Sequence, residues 1–167
     1  QRLVAKKAYL MAGMGRAEEA IAMLDNELAK QNEANGSEAG FLYLAKGELL
    51  LGGDQADDAI KSFDAGIGAA TQNVDLMADL IAAKSDALFA SNKTGDALKI
   101  LDDFSDSDQF PTELRAEIML QKSMMMRELN RVRQAILVEN RAIEVASSPA
   151  ERSAIQKIVD NLRARAN

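Results

Sequence analysis

One short pattern recurs four times along the chain at an almost constant interval. It is an alanine followed by an aliphatic residue, at Ala20-Ile21, Ala59-Ile60, Ala97-Leu98 and Ala135-Ile136. The four alanines lie 39, 38 and 38 residues apart. Such a period is typical of repeat arrays, in which each unit buries its apolar face only against its neighbours. The sequence therefore predicts four stacked units, and this restricts the fold more than any other feature.

A second pattern keeps the same phase. A small residue stands about 12 residues before each alanine, with a lysine directly before it: Lys7-Ala8, Lys46-Gly47, Lys84-Ser85 and Lys122-Ser123. Small residues let two helix axes approach to about 8–10 Å, so we expect each one to face the alanine of its own unit. The lysines either cross unit boundaries to reach solvent or a carboxylate, or form a basic stripe for a partner. Recurrence in every unit favours the first interpretation.

Each unit is predicted to be a pair of helices, because strong helix formers dominate the sequence. Between the two helices stand the turns "GMGR", "GGDQ", "SNKTG" and "ELNR", and their Gly, Asp and Asn residues tolerate the left-handed backbone that ends a helix. The predicted fold class is all-α. The expected helices span about 1–13, 16–31, 38–52, 55–71, 75–91, 94–104, 111–128, 131–146 and 149–165.

The last of these helices has no partner hairpin. Ser148 is its expected N-cap, Pro149 its first residue, and Glu151 the third residue after the cap. An apolar stripe follows at Ile155, Ile158, Val159 and Leu162. We interpret this segment as a helix that caps the array; binding of the stripe to another subunit is the alternative. One domain is thus expected over 1–167, with repeats at about 1–36, 37–74, 75–110 and 111–148 and a capping helix at 149–165.

The pattern resembles the tetratricopeptide repeat (TPR) family, as a divergent member of bacterial type. The resemblance covers residues 1–148 and is carried by the Ala-aliphatic pairs and by Gly15, Gly47, Gly53, Leu24, Phe63, Leu101, Pro111 and Pro149. It implies an α-solenoid, a right-handed superhelix of four helix-turn-helix repeats that binds partners along an inner groove. The Lys and Asn clamp of some members is missing, since Ala5, Tyr9 and Ala45 stand at those places.

The residue inventory argues against catalysis. The chain has no His and no Cys, which removes the commonest general base, thiol nucleophile and soft metal ligands. The acidic run "DDFSDSDQF" (102–110) lacks the spacing of a calcium-binding EF-hand and is expected to be a solvated loop. We therefore expect no enzyme, no catalytic residue, no cofactor and no metal.

Charge and hydropathy restrict the partners. A net charge of −6 repels phosphate backbones, so nucleic acid is not an expected partner. No apolar run reaches the roughly 20 residues that cross a bilayer, so we expect a soluble protein without membrane insertion. The chain begins at Gln1, without an initiator Met, and its compartment, cytoplasmic or periplasmic, stays unknown.

The helical register places a set of residues on the inner surface of the first helices. They are Tyr9, Phe41, Leu44, Glu48, Leu51, Asp86, Phe89, Met124 and Arg127. This surface is apolar with acidic spots, which favours an apolar partner with basic flanks. Local packing of the same side chains is the alternative interpretation, and Met119 and Met126 are expected in the core.

Three functions are compatible with these features. The leading hypothesis is a non-catalytic scaffold that binds a peptide or a helix of a partner protein in its groove. The second is a docking or regulatory module of a larger enzyme whose catalytic domain lies upstream of Gln1. The third is weak self-association through exposed end faces.

Overall fold

The computed structural model describes residues 1–30 and 36–165 of the chain. Every regular element in these two ranges is an α-helix, which confirms the all-α prediction. The nine helices are α1 (Arg2–Gly13), α2 (Ala17–Leu28), α3 (Gly36–Gly52), α4 (Ala56–Ala69), α5 (Val74–Ala90), α6 (Thr94–Ser105), α7 (Thr112–Glu128), α8 (Val132–Val145) and α9 (Pro149–Arg165).

The turn inside each repeat has the same backbone form. One residue in each turn adopts a positive φ: Gly15 at 78°, and Asp54, Asn92 and Asn130 at 59° each. The residue after it donates its N–H five residues back, for example from Gln55 to the carbonyl of Leu50 at 2.9 Å. This bond occupies a carbonyl that the helix end leaves without a partner. The turn residues were thus identified correctly from the sequence.

The chain divides into two compact units, an N-terminal unit (Gln1–Ala97) and a C-terminal unit (Leu98–Asn167). The boundary falls inside α6, which begins in one unit and ends in the other. The sequence prediction of one domain over 1–167 stays a prediction.

In the N-terminal unit, helices pack against their neighbours in chain order. The hairpins α1–α2 and α3–α4 form closely packed pairs, and α3 also packs against α1, α2 and α5. Two apolar clusters fill the spaces between these helices. One contains Leu24 and Leu42, and the other contains Phe63, Leu76 and Leu80. Each hairpin thus buries apolar surface against the next helix, as the repeat pattern predicts.

The small residues and their alanines are buried in all four repeats. In the second repeat, the structure shows why a glycine is needed. A Cβ built on Gly47 would lie only 2.3 Å from Cε1 of Phe63, whose ring is fully buried. We expected Ala59 to be the close neighbour of Gly47. The nearest side chain is instead the ring of Phe63, which stands one helical turn further along α4.

The recurring lysines cross the repeat boundaries. Lys46 pairs with Asp25 of α2 at 2.5 Å, and Lys84 pairs with Asp64 of α4 at 2.6 Å. In the C-terminal unit, Lys122 pairs in the same way with Asp102 of α6. Each aspartate stands five residues after the repeat's alanine. The interpretation of these lysines as ties between neighbouring repeats is confirmed for the second, third and fourth repeats.

In the C-terminal unit, α7, α8 and α9 pack against one another around one apolar cluster. The cluster contains Met119, Leu120, Ala142, Ile155 and Val159. Met119 and Met126 are buried, as predicted. Before α7, the rings of Phe104 and Phe110 stack with their centroids 3.9 Å apart.

The fourth repeat buries a charge where the other three bury a large apolar side chain. Glu139 occupies the position of Leu24, Phe63 and Leu101 and is fully buried. Its carboxylate accepts a hydrogen bond from Nε of Arg127 on α7 and another from Nε of Arg163 on α9, both at 2.9 Å. A buried carboxylate is tolerated only when paired and hydrogen-bonded in this way. The two arginines therefore tie α7, α8 and α9 together.

The capping helix α9 differs in detail from its prediction. Ser148 caps it as expected, since its hydroxyl accepts the N–H of Glu151 at 3.2 Å. Ile155 and Val159 are buried, whereas Ile158 is exposed and does not belong to the packed stripe. Arg163, which stands outside the apolar stripe in the sequence, reaches the buried Glu139.

We predict opposite effects for two glycine-to-alanine changes in the second repeat. Gly47→Ala forces a methyl group into the ring of Phe63, and such overpacking costs about 1–3 kcal/mol of unfolding free energy. Gly68→Ala meets nothing within 4 Å and should stabilise by up to about 0.5–1 kcal/mol, because alanine is the better helix former. Urea unfolding of both variants tests this, and equal midpoints would contradict the packing described for Gly47.

We also predict that α9 depends on the pairing of Glu139. Arg163→Ala should destabilise the C-terminal unit by about 1–3 kcal/mol, the range for leaving one buried acceptor without its partner, because Arg127 stays paired with Glu139. Lys157→Ala is the matched control, because Lys157 lies exposed on the same helix and should change stability by less than about 0.5 kcal/mol. Hydrogen exchange of α9 amides measures the local effect. Unchanged protection in Arg163→Ala would show that Glu139 does not hold this helix.

Candidate functional site

A cleft of about 440 Å³ opens on the N-terminal unit. Helix α3 packs against both α1 and α5, and the three helices together supply the walls. The cleft is lined by Arg2, Ala5, Lys6, Tyr9, Phe41, Leu44, Asn73, Asp75, Leu76 and Asp79. Three of the residues predicted for the groove, Tyr9, Phe41 and Leu44, are therefore brought together here.

The middle of the cleft is apolar. Phe41 and Leu44 of α3 are half-buried and pack against the cluster around Phe63, and Leu76 of α5 is fully buried in it. The guanidinium carbon of Arg2 lies 4.4 Å from the centroid of the Phe41 ring. A cation over an aromatic face at this distance is favourable, so Arg2 covers part of the ring. The ring thus serves both the core and the cleft.

Tyr9 joins α1 to α3 at the cleft. Its hydroxyl donates a hydrogen bond to Oε2 of Glu48. Partial burial of the ring raises the pKa of Tyr9 above its usual value, and the hydrogen bond and negative charge of Glu48 raise it further. Glu48, predicted as an acidic spot for a partner, therefore also fixes the orientation of Tyr9.

The acidic wall of the cleft lies on α5. Asp75 and Asp79 are one helical turn apart and line the same cavity. Partial burial raises the pKa of Asp79, and the negative charge of Asp75 adds to this effect. Asn73 starts α5 by accepting the N–H of Leu76 on its Oδ1 at 3.1 Å. Sequence reasoning missed these two aspartates, although their four-residue spacing marks them as neighbours on one helix face.

The basic wall lies on α1, where Arg2 and Lys6 are both exposed and four residues apart. The negative charge of Asp79 also contributes to the raised pKa of Tyr9, so the α1 and α5 walls act on each other electrostatically. The cleft therefore has an apolar floor with positive charge along one helix and negative charge along another.

Three further predicted groove residues belong to the same unit but lie outside the cleft lining. Leu51 is half-buried and packs against the cluster around Phe63. Phe89 is half-buried near the end of α5, and Asp86 is exposed on that helix. None of these three lines the cleft, which is centred nearer the beginning of α3 and α5.

The last two predicted groove residues belong to the C-terminal unit. Met124 is 43% exposed on α7, and its place in a groove stays a prediction. Arg127 is mostly buried, and its guanidinium contacts Glu139 at 2.7 Å. This contact gives Arg127 a role in holding the helices of that unit together.

The acidic run at 102–110 is matched by basic side chains. Asp106 pairs with Arg141 at 2.6 Å, and Asp108 pairs with Arg115 at 2.8 Å. The other two carboxylates of the run contact lysines, in the pairs Asp102–Lys122 and Asp103–Lys99. Across residues 1–30 and 36–165, no group of three or more acidic side chains is arranged to hold a metal ion. The run is therefore a set of ion pairs in the structure.

Comparisons with known proteins identify no relative: no protein-family model, curated protein or solved structure matches this chain. Within the described ranges, none of the helices has both the length and the apolar character needed to cross a membrane.

We predict that Asp79→Asn stabilises the protein at pH 7. The pKa of Asp79 is raised above its ordinary value of 3.8, so its ionisation weakens the folded state as the pH rises through that value. The gain in unfolding free energy is at most a few tenths of a kcal/mol, because the group is exposed. It should disappear when the pH falls below the ordinary pKa of 3.8, where Asp79 is protonated in both the folded and the unfolded state. Thermal unfolding at several pH values measures it, with Glu117→Gln, an exposed carboxylate inside α7, as the control. Lower stability of Asp79→Asn at pH 7 would contradict the assignment.

Proposed function

We propose that the chain is a non-catalytic interaction scaffold of the tetratricopeptide kind. Its four repeats would stack as a right-handed solenoid closed by α9, and the cleft on α1, α3 and α5 would bind a peptide or helix of a partner protein. The recurring turns, small residues and Lys–Asp pairs support the repeat architecture.

The observation that carries the binding proposal is the chemistry of the cleft. Apolar side chains stand partly open to water between a basic helix face and an acidic one. Exposed apolar surface of this kind is costly unless a partner covers it, and polar edges around an apolar centre are typical of binding sites. The arrangement fits a short segment with two or three apolar side chains in the centre.

The charges of the two walls determine which charges the partner carries at its two edges. A basic side chain on one edge of the bound segment would meet Asp75 and Asp79, which lie one helical turn apart on α5. An acidic side chain on the other edge would meet Lys6 and Arg2. Complementary charge on both edges fixes the orientation of the segment and excludes partners of the wrong pattern.

Charge substitutions test this proposal better than truncations of the floor. Phe41 and Leu44 pack against the core cluster, so replacing them with alanine would weaken the fold as well as the site. Asp79 and Lys6, by contrast, are exposed side chains on helix surfaces. Their substitution changes the partner's environment with little effect on the core.

Peptide selection is the direct experiment. A random peptide library displayed on phage is panned against the protein, and the affinities of the selected peptides are measured by fluorescence anisotropy. We expect enrichment of apolar peptides with a Lys or Arg at one edge. Asp79→Lys should weaken their binding by about tenfold or more, because it reverses a charge at the contact.

Glu18→Lys is the control for Asp79→Lys. Glu18 is exposed on α2, outside the cleft lining, and its substitution changes the net charge by the same amount. It should alter affinity less than about twofold through long-range effects alone. The cleft is not the binding site if both variants weaken peptide binding equally. The same conclusion follows if the selected peptides bind Asp79→Lys as tightly as the parent. Thermal midpoints close to that of the parent verify that both variants are folded.

A further inference from the structure

A second surface of α1 repeats a pattern that the later repeats bury. Leu3, Lys7 and Leu10 of α1 stand at the same repeat positions as Leu42, Lys46 and Leu49 of α3. The residue types are identical and the spacing is the same. In α3, these residues face the preceding hairpin, where Leu42 and Leu49 pack in the cluster with Leu24 and Lys46 pairs with Asp25.

The equivalent positions are buried in the other repeats as well. The residues that correspond to Leu42 are Leu80 in the third repeat and Ile118 in the fourth, and both are almost inaccessible to water. On α1, by contrast, Leu3 is 81% exposed and Leu10 is 71% exposed. The face of α1 thus has the chemistry of an inter-repeat contact without a helix lying on it in the part of the chain that the structure describes.

The surroundings of this face are also apolar. Lys7 and Leu10 line a depression of about 670 Å³ together with Met11, Met14 and Met23. Its acidic residue, Glu19, is held by Arg16 at 2.6 Å. Flexible methionine side chains adapt readily to a helix laid across them. Lys7 occupies the repeat position of Lys46, Lys84 and Lys122, and each of those three lysines pairs with an aspartate of the preceding repeat.

We propose that this face of α1 binds an amphipathic helix of another protein in the way that α3 binds α2. The partner helix would carry a large apolar residue followed directly by an aspartate, as in Leu24-Asp25 and Phe63-Asp64. Its apolar residue would cover Leu3 and Leu10, and its aspartate would pair with Lys7. Charge complementarity at Lys7 and the contact that an identical residue set already makes in the molecule both specify this occupant.

The helix α2 itself supplies the probe. A peptide of residues 16–30 is synthesised with a fluorescent label and with a side-chain staple between positions 18 and 22, which are exposed in α2. The staple is needed because isolated helices of this length are marginal in water. Fluorescence anisotropy with the intact protein measures binding.

We expect saturable binding that depends on Lys7. Lys7→Glu should weaken it by about tenfold, and the same peptide with Asp25→Lys should regain the affinity for this variant, since the swap restores opposite charges. Lys157→Glu is the control, because Lys157 is exposed on α9, outside both surfaces, and its substitution changes the net charge by the same amount. Its effect should stay within about twofold.

Three results would overturn the proposal. They are no binding of the stapled peptide, equal weakening by Lys7→Glu and Lys157→Glu, and a dimer of the parent in analytical ultracentrifugation that Leu10→Asp dissociates. The last result would make a second copy the occupant. Asp79→Lys should leave the binding of this peptide unchanged, so failure here and failure of the cleft proposal are distinguishable.

Discussion

The close contact between Gly47 and the ring of Phe63 determines how near α3 and α4 can lie. Because no side chain separates them at this point, the ring is fully enclosed, and the apolar cluster around Phe63 forms between α3, α4 and α5. The half-buried residues of the cleft, Phe41 and Leu44, rest on that same cluster. The position of the cleft floor is therefore a consequence of tight packing behind it.

The lysine–aspartate pairs add a second constraint of a different kind. Each pair lies near the surface, where a single ion pair contributes at most about 1 kcal/mol to stability. Their value lies in specificity, since Lys46 and Lys84 meet a carboxylate only when adjacent hairpins stack in one register. The core thus provides most of the stability, whereas the paired charges select the alignment. Lys7 stands at the same repeat position as these lysines. A helix that covers α1 would therefore be expected to bring an aspartate to Lys7.

Much of the helical framework follows from the sequence. Local signals define the helix ends, because Gly15, Asp54, Asn92 and Asn130 adopt the left-handed backbone that their types tolerate. The small residues were recognisable by recurrence alone. The contacts of these small residues could not be predicted in the same way, because they depend on the angle at which the helices cross. Repetition suggests that Gly47 faces Ala59, but its nearest side chain is Phe63, one helical turn away.

The cleft was only partly predictable for the same reason. Helical rotation places Tyr9, Phe41 and Leu44 on one side, but the part played by Asp75 and Asp79 depends on how α5 packs against α3. Arg127 shows the converse case. Helical periodicity places it on the same face as the groove residues, but in the structure its guanidinium contacts the buried Glu139. That glutamate breaks the repeat's apolar pattern, and its partner Arg163 is 24 residues away.

Tight packing behind α3 presents an apolar cleft with opposite charges along its two edges. A crystal structure of the protein with a selected peptide would show whether a ligand binds there. We expect a peptide lying over Phe41 and Leu44, with a basic side chain within hydrogen-bonding distance of Asp79 and with the Phe63 ring still against Gly47. A peptide bound away from this cleft, or one that enters only by displacing the Phe63 ring, would contradict this expectation.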